Sequence, residues 1–206
     1  NAGPAAKDME KRLDQQALYL PYAYDYETLR RNLQQAAQIL GLDLPDCDAY
    51  ERAVEEKVRA LKERVGDTHI AIDYTATPRP LGLAKFLLIH GFNVYAVYLD
   101  AISPDEKDTF QFLQTHYPDL SLRSTMHFKR RLLPRDDSRK YGKVLAIGQM
   151  AAYFTDTKYF VNLIENSGLY GYVGLLKLLD WIGRADEAEN PKMRDIIQIK
   201  AWGCHG

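Results

Sequence analysis

Cysteine is nearly missing from this chain: Cys47 and Cys204 are the two among 206 residues. They lie far apart and outside any Cys-x-x-Cys spacing, which excludes a disulfide framework and a self-contained zinc or iron–sulfur site and sets a reducing, cytoplasmic compartment as the expectation. No apolar run approaches the roughly 20 residues that span a bilayer, and no secretory signal is visible. A basic surplus is lacking too, since 27 Lys and Arg stand against 28 Asp and Glu, where a nucleic-acid protein carries a strong excess. Neither a membrane nor a nucleic acid is therefore an expected partner. Gly-x-Gly-x-x-Gly, the Walker-type loop and the Gly-x-Ser-x-Gly elbow are also missing, so nothing places a nucleotide phosphate or a nucleophile, and the catalytic residues are unknown.

What is present is a globular composition, 46% hydrophobic and 27% charged, long enough for one large core or two small ones. Both ends read as cut: Asn1-Ala2 resembles the remnant of a cleaved tag, and the chain stops at Trp202-Gly203-Cys204-His205-Gly206. This points to a domain of a longer protein.

Residues 1–66 read as a helical segment leading in from a preceding domain. Asp25 is placed to cap a helix carrying Leu29, Leu33, Ala36, Ala37 and Leu40, which Gly41 ends. Asp48 and Glu51 stand as N-cap and third helical residue of a second helix bearing Val54, Val58, Leu61 and Val65 and closing at Gly66. The pattern changes at His69. His69–Asp73 is a short strand, Leu81–His90 a helix ending at Gly91, and Asn93–Leu99 a β-branched and aromatic strand, together a parallel βαβ unit. Ser103, Pro104 and Glu106 read as a capping box before Phe110, Leu113 and Tyr117. A weak strand at Leu120–Leu122 and a stronger one at Lys143–Ile147 follow. The spacing predicts an α/β domain over 67–206: a Rossmann-like open parallel sheet flanked by helices.

In such sheets ligands gather beyond the carboxyl ends of the strands, and three segments are directed there. Thr75, Thr77 and Arg79 follow the first strand and are candidates for binding an anion at a helix N-terminus. The run Lys129–Lys140 is basic apart from Asp136 and Asp137; it reads as a solvated loop, or as a surface for an anionic partner. The third segment runs from Ala152 to Gly174. There Gly168, Gly171 and Gly174 lie among Tyr170 and Tyr172 just ahead of the apolar helix Leu175–Ile182, where backbone and rings can both approach a cofactor or another subunit. The alternative is a tight loop packed by its tyrosines. Lys158 and His127 are the nearest candidates for acid–base work or metal ligation, and the Cys204-His205 pair is a further, weak metal candidate.

The run Ala152–Gly174, with Tyr19–Asp25 upstream and the βαβ unit from Ile70 to Leu99, resembles nitrogenase component 1-type oxidoreductases and their cofactor-assembly and tetrapyrrole-reducing relatives. The resemblance spans about Tyr19 to Ile182 and implies the third of that family's Rossmann-like domains. It implies a parent protein that takes electrons from an ATP-dependent iron–sulfur reductase, works beside a nitrogenase-like partner subunit, and holds a metal cluster or a tetrapyrrole between its domains. The cofactor-facing residues would be Gly168, Tyr170, Gly171, Tyr172, Gly174 and Lys158. Where the family's catalytic subunit has Tyr-His-Gly-Tyr-Asp-Gly, this chain reads Leu169 to Gly174 with Val173 in place of the aspartate, and its Lys158–Asn162 stretch contains no ligand histidine. No cofactor site is thus expected to be self-contained in residues 1–206, which are expected to be inactive alone. The same residues also suit a scaffold or interaction domain used in cofactor assembly.

Overall fold

The structure is a computed structural model that describes residues 3–14, 16–129, 137–193 and 195–196. Three helices come first, one more than expected: α1 (Gly3–Leu13), α2 (Tyr26–Leu40) and α3 (Cys47–Val65). The α/β part then runs β1 (His69–Asp73), α4 (Pro80–Ile89), β2 (Val94–Tyr98), α5 (Lys107–His116), β3 (Ser121–Arg123), α6 (Asp137–Tyr141), β4 (Val144–Ile147), α7 (Gln149–Thr155), β5 (Tyr159–Val161) and α8 (Gly171–Glu187). All pairings are parallel, in the order β3-β2-β1-β4-β5. The predicted Rossmann-like open sheet flanked by helices, with a helical segment ahead of it, is the observed architecture.

Local chemistry accounts for several of these boundaries. The Asp25 side chain accepts the Thr28 amide at 2.8 Å, and Gly41 ends α2 in the left-handed region at φ 63°. Two caps depart from expectation. Helix α3 is capped by Asp46, which accepts Ala49 N at 2.9 Å, while Asp48 sits in the first turn and pairs with Arg30. The earlier start brings Cys47 onto the buried face with Val54, Val58, Leu61 and Val65. Ser103 makes no capping bond, and Pro104–Glu106 form a single 3₁₀ turn ahead of α5. Glu106 instead turns to α4, whose own N-cap Arg79 offers no capping oxygen, and accepts Gly82 N at 2.8 Å.

The sheet buries its two faces unequally. One face presents Ile70, Ile72, Val97, Leu145 and Ile147 to a core shared with α3, α4 and α8, and α2 joins the same core through Leu29. On the other, Ala71 pairs in register with Ala96 on one side and Ala146 on the other. This row of small side chains lets α7 lay Ala151, Ala152 and Phe154 against the sheet. Replacing Ala146, fully buried, with Leu is expected to overpack that layer and lower stability by roughly 1–3 kcal/mol. The midpoint of urea unfolding measures it, and an unchanged midpoint would show that α7 is not seated there.

Candidate functional site

Strand order reverses between β1 and β4, which makes the gap beyond their carboxyl ends the switch point of the sheet. That gap is filled by the chain itself. Asp73, fully buried at the end of β1, accepts Thr75 N (2.7 Å), Thr75 Oγ1 (2.5 Å) and Ala76 N (3.1 Å) through Oδ1. Its Oδ2 accepts Ala151 N (2.7 Å), in the first turn of α7. Burial pushes the Asp73 carboxyl above its ordinary range, and these hydrogen bonds work against the shift. Gly148 makes the approach possible. Its φ is 106°, and a Cβ there would stand 2.3 Å from Asp73 Oδ2. The anion seat at the start of α7 is thus held by a carboxylate of this chain, and Glu106 holds the corresponding seat at α4. Burial raises the Glu106 carboxyl as well.

The three anion candidates are drawn into this network. Thr75 is spent on Asp73. Thr77 is buried and accepts Tyr24 Oη at 2.9 Å and Arg79 N at 3.2 Å. Arg79 directs Nη2 to Asp105 at 2.7 Å, while its buried Nη1 has no hydrogen-bond partner among the described residues. Arg79 also lines a cavity of about 430 Å³ with Tyr19, Tyr22, Arg31, Lys85 and Glu106, so both charge signs meet on its walls.

The segment Ala152–Gly174 is not one loop but the end of α7, strand β5, a turn and the start of α8. In the turn, Glu165, Asn166, Ser167 and Gly168 all have positive φ (44°, 66°, 45° and 76°), a run that non-glycine residues adopt at a cost of roughly 1–2 kcal/mol each. Two backbone bonds to the loop after β1 hold it, Glu165 N to Thr75 O at 2.6 Å and Asn166 N to Ala76 O at 2.8 Å. Asn166 also donates Nδ2 to Leu169 O at 2.5 Å. The junction therefore closes over the switch point.

Its tyrosine hydroxyls are both bonded within the chain. Tyr170 Oη accepts Asn32 Nδ2 at 2.9 Å. Tyr172 Oη donates to Glu51 at 2.6 Å, and its ring stacks on Tyr50 at 5.7 Å. Burial and the Glu51 carboxylate both push the Tyr172 hydroxyl upward. Gly174 packs so tightly that a Cβ would meet the Leu169 carbonyl carbon at 2.7 Å, whereas Gly168 and Gly171 have open space at that position. The flanks Ile164, Tyr170 and Val173 are about half exposed, so an apolar strip remains on the outside.

The other candidates lie elsewhere. Lys158 precedes β5 at the amino end of the sheet, where it pairs with Glu189 at 3.0 Å, so it does not meet the glycines. His127 follows β3, on the far edge, and stacks on Phe128. Cys204 and His205 lie outside the described residues. Among the described residues no group of three or more His, Cys, Asp or Glu side chains is gathered to hold a metal ion. The junction offers phenols and amides rather than thiolate or imidazole, and these residues do not fit a metal cluster as its ligand set. Sequence reasoning missed Asp73, Gly148 and Asn166. The one signal was an acidic residue closing an apolar strand just before Thr75.

Fold and site together define a class, the Rossmann-like α/β domain with five parallel strands and a self-filled switch point. Comparison with solved structures then supplies a particular likeness: 96% of this chain matches a chain of nitrogenase Cp1 at pH 6.5, with a TM-score of 0.57 and 14% sequence identity. The match covers 44% of that chain. The likeness is one of fold. No protein-family model and no curated protein matches the chain. No described helix is long and apolar enough to cross a membrane.

Two outcomes follow for the switch point. Gly148→Ala is expected to destabilise by more than Gly168→Ala, whose cost is limited to roughly 1–2 kcal/mol of backbone strain, because only the first drives a methyl group into Asp73; equal losses in urea unfolding would contradict the close approach. A folded-state carboxyl raised from 3.8 contributes stability that is complete below the unfolded value and is lost as pH rises through the folded one. The stability advantage of the parent over Asp73→Asn should therefore shrink from about pH 4 towards neutrality. An advantage that grows over this range would reverse the sign assigned to burial.

Proposed function

We propose that the chain is one Rossmann-like domain of a nitrogenase component 1-type oxidoreductase. Its carboxyl edge would form a wall of the site in which the whole protein holds a redox metal cofactor or a tetrapyrrole. The other domains and a partner subunit would complete that site, and an ATP-dependent iron–sulfur reductase would supply electrons. The observation that carries this reading is the state of the junction. Its hydroxyls are spent internally on Asn32 and Glu51, while Ile164, Tyr170 and Val173 remain exposed beside the open space at Gly168 and Gly171. Such an edge encloses and excludes water more readily than it ligates. The fold likeness to nitrogenase Cp1 supports the assignment. A second reading, a scaffold domain for cofactor assembly, draws on the same exposed apolar strip and its lack of convergent ligands.

The test is anaerobic expression of the full-length parent, with iron analysis and absorption spectroscopy. Bound iron or tetrapyrrole is expected, and a colourless parent free of both would leave the scaffold reading. Val173→Lys, which places a charge on the exposed strip, should reduce the parent's turnover roughly tenfold, the equivalent of about 1.4 kcal/mol, with little change in the stability of residues 1–206. Unchanged turnover would remove this strip from the site.

A further inference from the structure

The cavity of about 430 Å³ that Arg79 lines is bounded by residues 19–25, helix α4 and the turn ahead of α5. Its size falls within the roughly 300–1,000 Å³ of small-molecule sites. Helix α4 gives it one face, because Gly82, Lys85, Phe86 and Ile89 recur three or four positions apart. Tyr22 adds an aromatic wall, its ring in edge-to-face contact with Tyr24 at 5.2 Å and Tyr170 at 5.8 Å. Ile89, 52% exposed, leaves apolar surface in water beside it.

The acids around this space are mostly spent within the chain. Asp25 accepts Thr28 N at 2.8 Å, Asp105 accepts Arg79 Nη2 at 2.7 Å, and Glu106 accepts Gly82 N at 2.8 Å. Asp108 is the uncommitted acid among the described lining residues. The basic groups are less occupied. Arg31 donates to the neutral Thr28 hydroxyl at 3.1 Å, and Lys85 holds Nζ 4.3 Å from the centre of the Phe112 ring.

Arg79 decides the sign of the guest. Its side chain is only 12% exposed, and it stands at the N-terminus of α4, where the helix dipole opposes a cation. Its buried Nη1 has no hydrogen-bond partner among the described residues, and a guanidinium N–H hidden from water without an acceptor is costly. An acceptor drawn in from the cavity would remove that cost. After internal pairing, Arg31, Lys85 and half of the Arg79 fork are set against Asp108 alone, so the balance is positive. The four carboxylates on the walls limit how negative the guest can be, because a dianion meets twice the repulsion of a monoanion. A single planar carboxylate also suits a guanidinium fork.

We propose that this cavity binds a small monocarboxylate with an aromatic body. Arg79 takes the carboxylate, Lys85 adds attraction, and Tyr22, Phe86 and Ile89 receive the ring. The assignment does not rest on the function proposed above.

Titration with phenylacetate, followed by calorimetry and by amide chemical shifts of the isotope-labelled protein, tests it. Saturation is expected with a Kd of about 1 mM or below, with the largest shifts at Gly82, Lys85 and Thr109. Phenylacetamide, the same shape without the charge, should bind at least tenfold more weakly, about 1.4 kcal/mol, and the dianion phenyl phosphate should also bind more weakly. Lys85→Gln should raise the Kd severalfold with an unchanged urea midpoint, and Arg79→Gln should abolish saturation. If circular dichroism shows Arg79→Gln unfolded, Lys85→Gln and the amide decide the matter. Equal binding of acid and amide, tighter binding of phenyl phosphate, shifts centred away from the cavity, an unchanged Kd in Lys85→Gln, or no saturation by about 10 mM would each overturn the proposal.

Discussion

Asp73 is the group on which the arrangement of this molecule turns. A carboxylate fully removed from water is costly unless every lone pair finds a donor, and here the donors come from two separate elements, the loop after β1 and the first turn of α7. Satisfying them holds α7 against the sheet at the point where strand order reverses, and requires that the residue between β4 and α7 have no side chain at all. The alanine row Ala71, Ala96 and Ala146 belongs to the same constraint, because α7 can reach Asp73 only if the sheet beneath it is shallow. The consequence for chemistry is direct. The place where Rossmann-like sheets usually receive an anionic group already contains one.

The same constraint extends from the switch point to its cover. The left-handed run Glu165–Gly168 is held by the loop after β1, and Asn32 and Glu51 draw Tyr170 and Tyr172 towards the N-terminal helices. The tyrosines thus bind the leading helices to α8. What they leave outside is an apolar edge of Ile164, Tyr170 and Val173.

Much of the architecture was readable from local pattern. The strands at His69, Val94 and Val144 are β-branched or apolar runs closed by turn residues, and Asp25 and Gly41 bound α2 through interactions with residues three or four positions away. One failure turned on a distant contact. Glu106 looked like the partner of its own helix but caps α4, 24 positions back. Helix α7 and strand β5 escaped notice because seven and three residues are too few to show a period. The candidate site was legible as a position, the glycines and tyrosines before α8, but not as an arrangement: Lys158 belongs to the opposite end of the sheet.

By itself, the sequence determined the class of fold, its helical preface and the absence of any nucleotide-binding fingerprint, because periodicity, caps and motif spacing are properties of neighbours along the chain. The tertiary structure alone decided which carboxylates occupy the helix N-termini, which way the tyrosine hydroxyls point and which apolar residues stay in water. Those outcomes depend on satisfying buried polar groups across elements tens of residues apart, and a hydrogen bond of that kind leaves no mark in local sequence.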